Sequence, residues 1–146
     1  MPLNPVPAGY HTVTPYLVVK GAGALLDFMG KAFGATVREC HRKEDGSVMH
    51  AEAVIGDSAV MVGEAQPTFG ERPSTLYLYV ADVDATYRAA LSAGATSLME
   101  PAVQFYGDRS GGVKDPFGNQ WWMATRVEEV PPEEMARRAA EKAKKC

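Results

Sequence analysis

Apolar and polar positions along the chain alternate between two periods, and each change of period marks a predicted element. Thr12 to Lys20, Thr-Val-Thr-Pro-Tyr-Leu-Val-Val-Lys, is rich in β-branched and aromatic residues and reads as a strand with Pro15 near its start. From Gly21 to Phe33 the spacing becomes helical, with Leu25, Phe28, Met29, Ala32 and Phe33 on one face and Gly34 as a stop. Three short strands follow: Thr36 to Arg42, Val48 to Ile55 and Ala59 to Gly63. Glu44-Asp45-Gly46 and Gly56-Asp57-Ser58 are the turns between them.

Residues 65–73 are polar, carry two prolines and a glycine, and read as a linker. The grammar then restarts. Thr75 to Ala81 is a strand, Asp82 is a candidate N-cap, and Val83, Tyr87, Ala90 and Leu91 form a helical face ending at Gly94. Strands over Thr96 to Val103, Tyr106 to Lys114 and Gln120 to Thr125 complete the series. Thr14 recurs as Thr75, Gly34-Ala35 as Gly94-Ala95 and Gly56-Asp57 as Gly118-Asn119, each about sixty residues on, the mark of an internal repeat. The expected fold class is therefore α+β. Two βαβββ modules, 12–64 and 74–126, lie in one domain over 1–130, forming a cupped mixed sheet with a cleft between them.

The second module closes on Asp115-Pro116-Phe117-Gly118-Asn119, which is turn chemistry, so Asp115 is expected to form the turn rather than react. The strand after it carries both tryptophans. Side chains alternate across a strand, so Trp121 and Trp122 point to opposite faces. Residues 131–146 form a separate helix, with Glu133 and Glu134 in its first turn and Lys142, Lys144 and Lys145 in its last, as the helix dipole favours. Its apolar stripe of Met135, Ala139 and Ala143 is narrow, which predicts a lightly docked appendage.

Composition narrows the function. At 146 residues, with 46% hydrophobic and 23% charged content, the chain has the make-up of one globular domain. The net charge of −3 argues against nucleic acid as a partner, and no apolar run approaches the ~20 residues that span a bilayer. Two cysteines, Cys40 and Cys146, form no disulfide framework, and the first residues lack a secretory pattern. A cytoplasmic location is the expectation.

Pro15-Tyr16-Leu17, His50-Ala51-Glu52 ahead of Ile55-Gly56-Asp57-Ser58, and Gly107-Asp108-Arg109 ahead of Asp115-Pro116-Phe117-Gly118 recur in one order. Within tandem βαβββ modules, this set resembles the vicinal oxygen chelate superfamily of glyoxalases, bleomycin-resistance proteins and extradiol dioxygenases, its PhnB-like branch most of all. The resemblance covers about residues 12–128 and implies a homodimer. It also implies a divalent ion held by a His or Gln near the start of each module's first strand and a Glu on each last strand. Those positions correspond here to Thr14, Thr75, Met61 and Trp122. A hydroxyl, a thioether or an indole is a poor partner for a hard cation, so no metal and no other cofactor is expected.

Tyr16, Tyr77 and Tyr79, with Met61 and Trp122, share the cleft-facing parity and would line it with rings and a thioether, a surface for a planar or amphipathic ligand. The same rings would equally serve as core. His50 and Glu52, two apart on one strand face, are either a general-base or ligand pair or a polar pair supporting the fold. Arg109 either holds an anionic group at the cleft mouth or braces its loop with Asp108. The expected function is metal-independent binding of a small molecule, of the drug- or metabolite-sequestering kind. The alternative is a metal-dependent lyase, isomerase or transferase using ligands such as His50 and Glu52.

Overall fold

The structure, a computed structural model, describes residues 3–145. The first module runs β1 (Tyr16–Val19), α1 (Ala22–Phe33), β2 (Thr36–Arg42), β3 (Val48–Ile55) and β4 (Ser58–Glu64). The second runs β5 (Thr75–Tyr79), α2 (Val83–Ser92), β6 (Thr96–Val103), β7 (Asp108–Lys114) and β8 (Gln120–Arg126), and α3 (Pro132–Lys145) follows. The strands form two four-stranded mixed sheets of matching order, β1-β4-β3-β2 and β5-β8-β7-β6. In each, the first strand pairs in parallel with the last and the other pairings are antiparallel. The cup expected from the repeat is thus built from two sheets, with no strand ladder joining them among the described residues.

What joins the modules is a shared core. Leu17, Val19, Val60 and Val62 of the first sheet and Val113, Trp121 and Met123 of the second face inward onto α1 and α2, which pack against each other. Period-two alternation turns the neighbouring side chains the other way. Each sheet therefore has a helix face, which is buried, and an open face.

Local chemistry sets the element ends. Asp82 caps α2 as its side chain accepts from the Ala85 N–H at 3.1 Å. At the start of α1 the orphan amides of Gly21 and Ala22 donate to the Glu64 carboxylate at 2.9–3.1 Å, which ties the helix to the end of β4. Strand β1 opens only at Tyr16, so Thr14 stands outside it. The linker is not loose throughout. Its Arg72 N–H donates to the Val18 carbonyl at 3.0 Å, pairing the outer edge of β1. Helix α3 docks mainly through charge. Arg138 reaches the Phe105 carbonyl at 3.1 Å and both oxygens of Glu128 at 2.8 and 2.9 Å, while Glu134 braces it at 2.9 Å.

The Asp115-to-Asn119 turn is held by a network of buried side-chain bonds. One Asp115 oxygen accepts from the amides of Phe117 and Asn119 at 2.8 and 2.9 Å. The other accepts from the Asn119 side-chain amide at 2.9 Å and the Trp121 indole N–H at 2.8 Å. Asn119 in turn accepts from the Ser74 N–H at 2.9 Å, so the turn also fixes the entry to β5. Asp115, Asn119 and Trp121 are all buried.

Candidate functional site: an aromatic groove along the edge of β5

Bonds to β8 use alternate residues of β5. The Val80 N–H donates to Ala124 and the Ser74 carbonyl accepts from Gln120, both at 2.8 Å. The main-chain groups of Thr75, Tyr77 and Tyr79 consequently point away from β8, and no other described strand pairs with β5. The linker covers the equivalent edge of β1 but leaves this one open. Along it runs a groove of about 1070 Å³, bounded on the far side by Pro15, Tyr16 and Leu17 and by the turn after Ile55. Leu76, Leu78, Phe33 and Trp121 form its apolar base, and Tyr77 and Tyr79 its lip. The Phe33 and Trp121 rings meet there at 4.7 Å.

Of the residues singled out in the sequence, the groove collects Tyr16, Tyr77 and Tyr79. Trp122 and Met61 lie beside it on the open faces, each the register partner of a groove tyrosine: Met61 of Tyr16, and Trp122 of Tyr77. Both faces let rings lie flat over glycine. A Cβ at Gly63 would sit 2.6 Å from the Tyr16 hydroxyl, and one at Gly112 would strike the Trp122 ring. Trp122 also donates to the Gln120 side-chain carbonyl at 3.1 Å.

His50 and Glu52 share the open face of the first sheet but engage different partners. The Tyr16 hydroxyl lies 3.1 Å from His50 Nδ1, whereas Glu52 faces Arg38 at 3.7 Å. Arg38 in turn stacks 4.5 Å over the Tyr10 ring. The Tyr10 hydroxyl is buried with no hydrogen-bond partner among the described residues, and burial, reinforced by Glu52, raises its pKa.

Asp108 and Arg109 are separated by strand alternation. Arg109 points to the helix face, where its guanidinium makes a bidentate pair with Asp84 of α2 at 2.8 and 2.9 Å. That contact holds the Asp84 carboxyl below its ordinary pKa. Arg109 is therefore a brace between β7 and α2, bonded to Asp84 rather than to Asp108, and it does not line the groove. Asp108 points to the open face instead, 5% exposed, and accepts from the Tyr77 hydroxyl at 2.8 Å and the Tyr79 hydroxyl at 3.1 Å. Burial and then the Asp108 bond push the Tyr77 phenol up; for Tyr79 the Asp108 bond is the larger cause. Sequence reasoning missed Asp108 as an acceptor, although its parity with Trp122 across the β7–β8 ladder was the available signal.

The divalent ion implied by the resemblance does not fit these residues. Thr14, Thr75, Met61 and Trp122 supply no carboxylate or imidazole. Among the described residues no three His, Cys, Asp or Glu side chains cluster as a metal site would require.

Comparison with known proteins settles the class. The family model of the Glyoxalase/Bleomycin resistance protein/Dioxygenase superfamily matches residues 10–123, and the chain belongs to that superfamily. An uncharacterized protein of Mycobacterium bovis is 36% identical, over 92% of this chain and 93% of its own. Two solved structures share the fold. TioX from Micromonospora sp. ML1 has a TM-score of 0.69 at 21% identity, covering 80% of this chain and 99% of its own. TnmS3, an antibiotic binding protein from Streptomyces sp. CB03234, has a TM-score of 0.64 at 19% identity, covering 80% and 96%.

Proposed function

We propose that the protein binds a planar, amphipathic small molecule in the β5 groove, without a metal ion, and serves to sequester it. The observation that carries this reading is the groove itself, aromatic at its base and lip and open along an unpaired strand edge. Its volume is of the order of a drug-sized pocket, roughly 300–1,000 Å³. The partly buried Phe33 ring, backed by Trp121, offers stacking surface, and the main-chain groups of Thr75, Tyr77 and Tyr79 that point away from β8 offer directional hydrogen bonds. The antibiotic-binding relative TnmS3 supports the ligand class. The motifs around Tyr16, His50 and Arg109 support a place in the PhnB-like branch.

Titration with a panel of planar antibiotics and aromatic metabolites, followed by tryptophan emission, tests the reading. A binding ligand is expected to quench Trp121, so quenching persists in Trp122→Phe. Tyr77→Ala is expected to weaken binding about tenfold, an ordinary aromatic contribution. Dialysis against chelator is expected to change neither. Binding that requires an added divalent ion and is lost in His50→Ala would instead establish the metal-dependent enzyme.

The same reading includes a homodimer. Val37 on β2 and Leu98 on β6 are exposed apolar groups on the outer strands of the two sheets. Light scattering after gel filtration is expected to give twice the chain mass of 15.7 kDa. A mass of one chain at micromolar concentration would refute it.

A further inference from the structure

Behind the lip of the groove lies a buried carboxylate, Asp108, with no ion-pair partner among the described residues. Asp108 is nine-tenths buried or more, and among the described residues no Lys, Arg or His nitrogen lies within 4.0 Å of its carboxylate. Neither nearby arginine pairs with it, although Arg126 lies near enough to Tyr79 to oppose the rise of its phenol pKa. Arg109 is on the other face with Asp84, and Arg126, opposite Asp108 in the ladder, directs its guanidinium to Glu129 at 3.9 Å. A buried carboxylate without a cation is costly unless donors spread its charge. Here the two donors are the phenols of Tyr77 and Tyr79, whose rings extend the negative potential to the groove.

Those rings are placed to receive a cation. They are 46% and 68% exposed, their centroids are 5.4 Å apart and their planes are inclined at 59°. A positive group between them would lie within the ~6 Å of both centroids over which cation–π attraction acts. A phenol that donates to a carboxylate has a more electron-rich ring, which strengthens that attraction. The matching tyrosine of the first module, Tyr16, faces His50 rather than a carboxylate, so the feature belongs to one side of the groove.

We propose that this lip is a subsite for an organic cation, so that the ligand is an aromatic or amphipathic amine seated on Tyr77 and Tyr79 with Asp108 as its counter-charge. The proposal rests on the groove reading above and adds the ligand's charge. The net charge of −3 favours the same sign of ligand at longer range.

Three naphthalene probes of equal ring size separate the possibilities on the full chain: 1-naphthylmethyl-trimethylammonium, 1-naphthalenemethanol and 1-naphthalenesulfonate, measured by calorimetry at low salt. The ammonium is expected to bind about tenfold more tightly than the alcohol, and the sulfonate most weakly. Asp108→Asn keeps an acceptor for both phenols and is expected to reduce the ammonium's advantage to less than about threefold. Tyr79→Leu, which keeps the Tyr77–Asp108 bond, is expected to reduce it too and serves alone should Asp108→Asn fail to fold. Equal binding of ammonium and alcohol, or an advantage unchanged in the variants that fold, overturns the cation subsite and leaves the groove standing. Absence of binding by all three probes overturns both.

Discussion

Asp115→Ala is expected to lower the unfolding free energy by about 4 kcal/mol, near the cost of stripping one partner from a buried charged network. Four donors converge on this carboxylate, and three of them, the main-chain and side-chain amides of Asn119 and the Trp121 indole, are in fully buried residues. Alanine leaves them without acceptors, and each buried unsatisfied group costs about 1–3 kcal/mol. Main-chain relaxation at the exposed side of the turn keeps the total below the sum. For a chain of this length the loss corresponds to roughly 8–16 °C in Tm, at about 2–4 °C per kcal/mol. Asp115→Asn retains acceptor oxygen but turns one end into a donor, and is expected to lose about half as much. Urea unfolding followed by tryptophan emission measures both, with Trp121 reporting directly. A loss under about 1 kcal/mol for Asp115→Ala, the typical worth of one ordinary hydrogen bond, would show that the turn does not anchor the second module. Because Asn119 also holds Ser74 at the start of β5, the alanine variant is expected to loosen one wall of the groove as well.

Much of the fold was legible because its signals are local. Helical spacing from Leu25 to Phe33, the Gly34 stop, the Asp82 cap and the Asp-Gly turns each depend on a few neighbouring residues. The repeat supplied the rest, since a module read once could be recognised again. The opposite placement of Trp121, fully buried, and Trp122, half-buried, followed from alternation alone. What was not legible depends on where distant segments come to rest. Whether β1 or β5 keeps a free edge is decided by how the linker folds back, and Arg72 lands on β1. Phe33 read as the last apolar position of a helix, yet helix packing brings its ring onto Trp121 at the groove base. Asp108 and Arg109 stand together in the sequence, where Arg109 reads either as an anion holder at the cleft mouth or as a brace of its loop with Asp108. Alternation sends them to opposite faces, and only the neighbouring helix and strand supply their partners, Asp84 for one and two tyrosines for the other.

Those two tyrosines carry the second large effect. Removing both hydroxyls in Tyr77→Phe/Tyr79→Phe leaves the buried Asp108 with neither of its phenol donors, and is expected to cost about 3 kcal/mol, the upper range for an unsatisfied charged group. Each single variant keeps one donor and is expected to cost about 1 kcal/mol, so the pair should be coupled by about 1 kcal/mol in a double-mutant cycle. The alkaline limb of the stability curve gives an independent reading. Both phenols have folded-state pKa values above the unfolded value of about 10, because burial and Asp108 disfavour the phenolate. A group shifted upward contributes its full stability below the unfolded pKa and loses it as pH rises through the folded one. Wild-type protein should therefore lose stability more steeply than the double variant between about pH 10 and 12, an effect moderated by the exposure of both rings. Parallel curves over that interval would show that the phenols do not share the carboxylate in solution. The electron-rich lip of the groove, and with it the reason for a cationic ligand, would then be lost.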